Sequence, residues 1–414
     1  MNLPDLTNER PGAASLLQRY RDVRAATLDL AAPLSPEDMG LQSMPDASPT
    51  RWHLAHTTWF FENFVLARED GHRPYREGWD YLFNSYYYTV GDMFERPQRG
   101  LLSRPGVDEI LAWRAHVDER MAALIEASGD AEETTLLVEL GLNHEQQHQE
   151  LILTDIKHAL SLNPLKPAYR DDIELPAAVE SELAFDAFPG GITEIGARGD
   201  GFCFDNETPR HRVLLNGYRL ARRPVSNAEY KAFIDDGGYR TPEWWLSDGW
   251  ARVTAEAWQR PIYWSEGLDS EFTLLGEIDL DPHRPACHLS YFEADAYARW
   301  AGKRLPTEAE WESAVTHQQP EWPGPGLHPQ AGTEHDLSIG QAWEWTQSAY
   351  ASYPGFKPLA GSLGEYNGKF MCGQMVLRGG SCATPAGHAR PSYRNFFYPD
   401  ARWQFSGIRL AEDD

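Results

Sequence analysis

The sequence predicts a two-part α+β protein: a four-helix bundle followed by a loop-rich domain of short strands and helices. Three observations carry this. Between residues 14 and 161 apolar residues recur at three-to-four spacing in four segments, the pattern of helices with one buried face. The stretch Ser161-Leu162-Asn163-Pro164-Leu165-Lys166-Pro167 then places two prolines where a helix cannot continue. Beyond residue 185 the periodicity shortens to β-like pieces such as His211-Arg212-Val213-Leu214-Leu215, set among frequent Gly, Pro and Trp. At 414 residues the chain also exceeds the length at which one hydrophobic core keeps growing.

The first helix is signalled by Leu16, Leu17 and Tyr20, the second by the apolar run at 59–66, the third by 110–125 and the fourth by 135–160. Between the second and third lies an irregular segment, 70–107, rich in Tyr, Arg, Gly and Pro and longer than bundle geometry requires. The expected division is therefore a bundle at 14–163, a linker at 164–183 and a second domain at 184–414. Within the second domain two short helices are expected, at 227–235 and 291–301, and 316–339 is the stretch least defined by pattern.

Composition narrows the function. Lys and Arg number 37 against 62 Asp and Glu, a net charge of −25, which disfavours nucleic acid and anionic membranes as partners. No uncharged apolar run is long enough to cross a bilayer, and residues 1–10 lack the basic and apolar regions of a secretory signal. Four cysteines, Cys203, Cys287, Cys372 and Cys382, are too sparse for a disulfide framework. A cytoplasmic location is the expectation. The 15 Trp, 18 Tyr and 17 Phe are many for so acidic a chain, and such rings line pockets for flat or cationic ligands as well as cores.

The densest chemical signal is His144-Glu145-Gln146-Gln147-His148, inside the fourth helix. At 3.6 residues per turn the two imidazoles share a face, half of a metal site. A third candidate lies in Arg51-Trp52-His53-Leu54-Ala55-His56, where spacing alone does not choose between His53 and His56. Three imidazoles suit zinc, copper and ferrous iron alike. Gln147 points about 100° away from His148 on the helix, within reach of a ligand bound beside the metal.

The irregular segment gathers phenols in Asn84-Ser85-Tyr86-Tyr87-Tyr88 and guanidinium groups at Arg96, Arg99 and Arg104. Tyrosine can supply a proton or hydrogen atom beside an oxygen-activating metal, and arginine can clamp a carboxylate. Near the C-terminus, Arg394-Asn395-Phe396-Phe397-Tyr398 and Arg402-Trp403-Gln404-Phe405 combine aromatic walls with amide and guanidinium groups, a mixture suited to an amino-acid betaine.

Taken together these segments resemble the ergothioneine-type sulfoxide synthases, which join a DinB-like four-helix bundle to a C-terminal domain of the formylglycine-generating-enzyme, C-type-lectin-like kind. The N-terminal marks are Trp52-His53-Leu54-Ala55-His56-Thr57-Thr58-Trp59-Phe60-Phe61-Glu62 and Asn143-His144-Glu145-Gln146-Gln147-His148-Gln149-Glu150-Leu151. The C-terminal marks are Arg304-Leu305-Pro306-Thr307-Glu308-Ala309-Glu310-Trp311-Glu312, Trp343-Glu344-Trp345-Thr346, Arg378-Gly379-Gly380-Ser381 and Gly407-Ile408-Arg409-Leu410.

The resemblance implies an Fe(II) cofactor held by His56, His144 and His148, with His53 structural. It implies coupling of a thiol sulfur to C2 of the hercynine imidazole with O2, leaving a sulfoxide. Hercynine's ring is then met by Gln147 and its carboxylate by Asn395, among the rings of Phe396 and Phe397. A tyrosine, Tyr86 or Tyr87, assists the oxygen chemistry. The branch using gamma-glutamylcysteine has an acidic residue at the position of Phe397, so phenylalanine there points to free cysteine, its carboxylate held by Arg96, Arg99 or Arg104. A selenosugar donor, as in selenoneine synthesis, is not excluded.

Two other readings stay open. DinB-like bundles with three histidines also hold zinc in thiol transferases, and C-type-lectin-like relatives bind ligands without chemistry. Formylglycine generation is disfavoured because Cys372 and Cys382 stand ten residues apart.

Overall fold

The computed structural model describes residues 13–414 except 130, 200, 325 and 333–336. Residues 1–10, read above for a secretory pattern, lie outside the described residues, as does part of 316–339. Two compact units are formed. The first comprises the described residues up to Asn163 with Arg198–Phe204 and Pro358–Tyr366, and the second comprises the rest.

In the first unit the helices are α1 (Ala13–Ala31), α2 (Thr50–Phe64), a single-turn α3 (Trp79–Phe83), α4 (Val107–Ser128) and α5 (Glu132–Ser161). α2 starts nine residues before the apolar run expected at 59–66, just after Pro49, whose fixed φ suits a helix entrance. Only Arg51 and Asn63 of α2 are not buried, the signature of a central helix packed on every side. It lies against α4 and α5, while α1 lies against α5. Gly141 permits the α2–α5 approach, because a Cβ there would stand 2.5 Å from the Phe61 ring. The segment 70–107 is less irregular than expected, containing α3 and a 3-10 turn at Arg96–Leu101.

One turn along α5 from His148, Glu145 is fully buried and accepts from Arg24 (2.9 Å), Thr27 (2.6 Å) and Arg114. Burial alone would raise its pKa, but Arg114 and Arg24 outweigh that and hold it at about 2. This ion triad ties α1, α4 and α5 together.

The second unit contains four sheets among its described residues. β1 (Phe185–Phe188), β4 (Tyr218–Ala221) and β11 (Ala411–Asp413) form one antiparallel sheet with β4 central. β2 (Gly191–Ile195) pairs with β3 (His211–Leu215), and β5 (Ser270–Thr273) pairs with β6 (Gly276–Asp279). The fourth has the order β10 (Ser406–Gly407), β7 (Trp343–Ala349), β8 (Met375–Arg378), β9 (Asn395–Phe397).

The helices are α6 (Asn227–Asp235), α7 (Ser247–Glu256), α8 (Tyr291–Trp300) and α9 (Glu308–Gln318). α6 and α8 were expected; α7 and α9 were not. Ser226 with Glu229, Ser290 with Glu293 and Thr307 with Glu310 form capping boxes that start α6, α8 and α9. Trp311, Ala314 and Val315 of α9 join Phe188, Tyr218, Leu220 and Ala411 in one apolar core. The C-terminal motifs supply buried ion pairs: Glu344 is held by Arg409 through two 2.6 Å contacts, and Glu308 by Arg378 (2.8 Å) and Arg394 (2.9 Å). Residues 164–183 lie along this unit, where Tyr169 N–H donates to the Leu274 carbonyl at 2.9 Å and Arg284 donates to that of Pro176 at 2.5 Å.

No helix among the described residues is long and apolar enough to cross a membrane.

Candidate metal centre

His56 projects from α2 and His144 and His148 from successive turns of α5, so each of the three imidazoles is set by a helix backbone. All are buried, and their candidate ligand atoms lie within 4.8 Å of one another. The Nε2 atoms of His56 and His148 each stand 3.2 Å from Nε2 of His144. Ligands at about 2.0–2.1 Å from one ion, at octahedral to tetrahedral angles, would be separated by roughly 2.8–3.4 Å. On this geometry and on donor chemistry the cluster fits a single metal ion.

The rings are held from the side as well. Trp52 stacks on His56 at 4.6 Å and Trp59 on its other flank at 5.5 Å, four residues before and three after it on α2. Phe60 lies 4.7 Å from His144. Behind the three rings, His56 Nδ1–H donates to the Phe83 carbonyl at 2.6 Å, which leaves Nε2 as a lone pair directed at the cluster. Burial lowers the pKa of all three, His144 to about 3, with the neighbouring imidazoles adding to the effect at His56 and His148. Neutral imidazole is the ligating form.

His53, one turn before His56 on the same helix, turns away from the cluster. Its Nδ1 meets Nδ1 of His148 at 2.8 Å and its Nε2 meets Asp155 at 3.1 Å.

Gln147 is partly buried and its Oε1 accepts from the Tyr366 hydroxyl. Tyr366 reaches the first unit from far down the chain, with its ring 6.0 Å from that of His144 and 5.6 Å from that of Tyr86. The segment is pinned by Glu365, which accepts from the backbone N–H groups of Tyr88 (3.1 Å) and Thr89 (3.0 Å). Burial raises the Tyr86 hydroxyl well above its ordinary pKa despite a hydrogen bond with Tyr366. Tyr87 instead packs into the bundle against Trp59 (5.7 Å) and Phe64 (5.0 Å).

The three arginines separate. Arg99 is 3% exposed, lies 3.4 Å over the Trp52 ring and donates to Ser48 (3.0 Å) and Ser85 (3.1 Å), with no carboxylate in ion-pair contact among the described residues. Burial lowers its pKa well below the usual guanidinium value. Arg96 is exposed and donates to the Asp46 carbonyl, and Arg104 is exposed. Asn395, Phe396 and Phe397 lie on β9 in the second unit, where Phe396 stacks on Tyr350 at 4.0 Å, Phe397 packs on Trp403 at 5.9 Å and the Asn395 side chain accepts from the Phe396 N–H at 2.8 Å.

Sequence reasoning missed Tyr366 and Asp155. Tyr366 sits in a stretch without periodicity, so nothing local marks it. Asp155 was legible in principle, being seven residues after His148 and so on the same helical face.

Comparison with known proteins agrees with this architecture. Residues 19–152 match the DinB superfamily, and residues 176–337 and 335–414 match the sulfatase-modifying factor enzyme 1-like domain. The chain is thus a two-domain protein in which a DinB bundle with a histidine triad able to hold a metal precedes a sulfatase-modifying-factor domain. It is 33% identical over 443 aligned residues to a hercynine oxygenase of Mycolicibacterium thermoresistibile, covering 97% of this chain and 96% of that one. Against a hercynine oxygenase of Mycobacterium tuberculosis the identity is 32%, covering 94% and 96%. Ergothioneine biosynthesis protein 1 of Schizosaccharomyces pombe is 28% identical over 229 residues, covering 51% of this chain and 28% of that protein. The chain belongs to the hercynine oxygenase family of ergothioneine-type sulfoxide synthases and is an oxidoreductase.

Proposed function

We propose that the protein is a non-haem Fe(II), O2-dependent sulfoxide synthase that joins the sulfur of cysteine to C2 of the hercynine imidazole. The observation that carries the reading is the convergence of three buried, neutral imidazoles, His56, His144 and His148, on one point. In the balanced reaction O2 accepts four electrons: two as the C2–H and S–H bonds give way to C–S, and two as sulfur becomes a sulfoxide, with the second oxygen leaving as water. The iron supplies a redox-active Lewis acid that activates O2 and lowers the thiol pKa.

The chain's own residues bind and orient. Gln147, aligned by Tyr366, hydrogen-bonds the free ring nitrogen of hercynine. Arg99 is the arginine for the donor's carboxylate, because its buried guanidinium has no carboxylate in ion-pair contact among the described residues and rests on the ring that stacks against His56. Of the two tyrosines Tyr86 is the proton-handling candidate, since its hydroxyl neighbours Tyr366, whereas the Tyr87 ring fills core space. Phe397 has no charge to meet the amino group of gamma-glutamylcysteine, which favours cysteine.

The test is mass spectrometry of products after supplying the Fe(II)-loaded protein with hercynine, O2 and, separately, cysteine, gamma-glutamylcysteine and a selenosugar. Hercynylcysteine sulfoxide is expected. Product from another donor alone would reassign the donor, and no product with any donor would overturn the reading.

A further inference from the structure

Deepening that reading, we infer that His53 is a positioning residue of the metal centre: with Asp155 it forms a hydrogen-bond chain that fixes the tautomer of His148 and leaves its Nε2 bare toward the ion. The chain runs His148 Nδ1 to His53 Nδ1 at 2.8 Å, then His53 Nε2 to Asp155 Oδ2 at 3.1 Å. Its members are 7%, 2% and 5% exposed, so no bulk water competes for these bonds. The far end is anchored, because the Ser48 backbone N–H donates to the same Asp155 oxygen at 2.8 Å.

The direction of the chain follows from donor arithmetic. A carboxylate only accepts, so His53 must present Nε2–H to it. A neutral imidazole carries one N–H, so Nδ1 of His53 is then a lone pair and must accept from Nδ1–H of His148. That leaves Nε2 of His148 without a proton, 3.2 Å from Nε2 of His144. The reverse direction would set a lone pair of His53 against the carboxylate and aim an N–H into the cluster. His56 receives the same service from the Phe83 carbonyl, so two of the three ligands have their tautomer set by a bonded partner, one of them through a second histidine.

The test is Co(II) titration of metal-free wild type, His53→Leu and His53→Asn, followed by visible absorption, with melting temperatures of the metal-free forms recorded alongside. Loss of such a partner costs about 10–100-fold in metal affinity. His53→Leu should weaken cobalt binding by that factor, and His53→Asn, whose Oδ1 can still accept from His148, should recover most of it. Equal cobalt affinity in wild type and His53→Leu, or an Asn variant as weak as the Leu variant, would overturn the inference. A wild type that binds no cobalt would instead contradict the metal reading itself. The imidazole 15N spectrum of the metal-free wild type reads the tautomer without metal or variant: Nδ1–H at His148 is expected, and Nε2–H there would sink the chain.

Discussion

The Tyr366 hydroxyl donates to Oε1 of Gln147, two side chains separated by 219 positions in sequence yet joined one residue before His148 of the histidine triad. An amide whose oxygen is held this way presents its N–H2 group in a fixed direction, toward an acceptor such as an imidazole nitrogen. Tyr366→Phe should therefore raise KM for hercynine about fivefold, the equivalent of one ordinary hydrogen bond of about 1 kcal/mol. Steady-state kinetics at saturating cysteine checks this. A large fall in kcat with KM unchanged would instead place Tyr366 in the chemical step.

Arg99 offers a guanidinium with no carboxylate partner among the described residues. Arg99→Gln keeps donors for Ser48 and Ser85 but removes the charge. KM for cysteine should rise about 10–100-fold, the loss of a charge-assisted bond of about 1.5–3 kcal/mol, with KM for hercynine little changed. Equal effects on both substrates would argue that Arg99 only braces Trp52.

Glu145 sits between Arg24 and Arg114 with all three side chains buried. Glu145→Gln would leave two guanidinium groups without their shared counter-charge, and removing one partner of a buried pair costs about 3–5 kcal/mol. Chemical denaturation should show that loss in the bundle. A variant as stable as wild type would show that water or Asp118 compensates.

The metal-free protein should weaken as pH falls. His144 and His388 are held at about 3 by burial, while the unfolded chain takes up their protons near 6.5. Between those values the unfolded state binds more protons, so stability rises with pH and is lost as pH drops below about 6.5, by up to about 1.4 kcal/mol per pH unit for each group. Denaturation midpoints at pH 7 and pH 5.5 check this. Equal midpoints would mean that both rings protonate without unfolding.

Much of the site was legible because helical spacing is local. His144 and His148 declare a shared face by their separation alone, and α2 and α5 deliver His56 to the same point. Spacing could not choose between His53 and His56, since both face α5; the choice is made by ring direction, one Nε2 toward the cluster and the other toward Asp155. Tyr366 was invisible because its role depends on a segment that joins the bundle from some two hundred residues away. The helix α9 carries a capping box, Thr307 with Glu310, but buried Glu308 and Glu312 interrupt the apolar face that would announce it. Among the arginines only burial separates Arg99 from Arg96 and Arg104, and sequence does not report burial in a loop.

The proposed chemistry requires Fe(II) at His56, His144 and His148. The most direct measurement is O2 uptake by metal-free protein reconstituted with Fe(II) or with Zn(II), given hercynine and cysteine, with product counted by mass spectrometry. The prediction is one O2 consumed per sulfoxide formed with iron and none with zinc. Turnover of the thiol by the zinc form without O2 would contradict it and make this bundle a zinc-dependent thiol transferase.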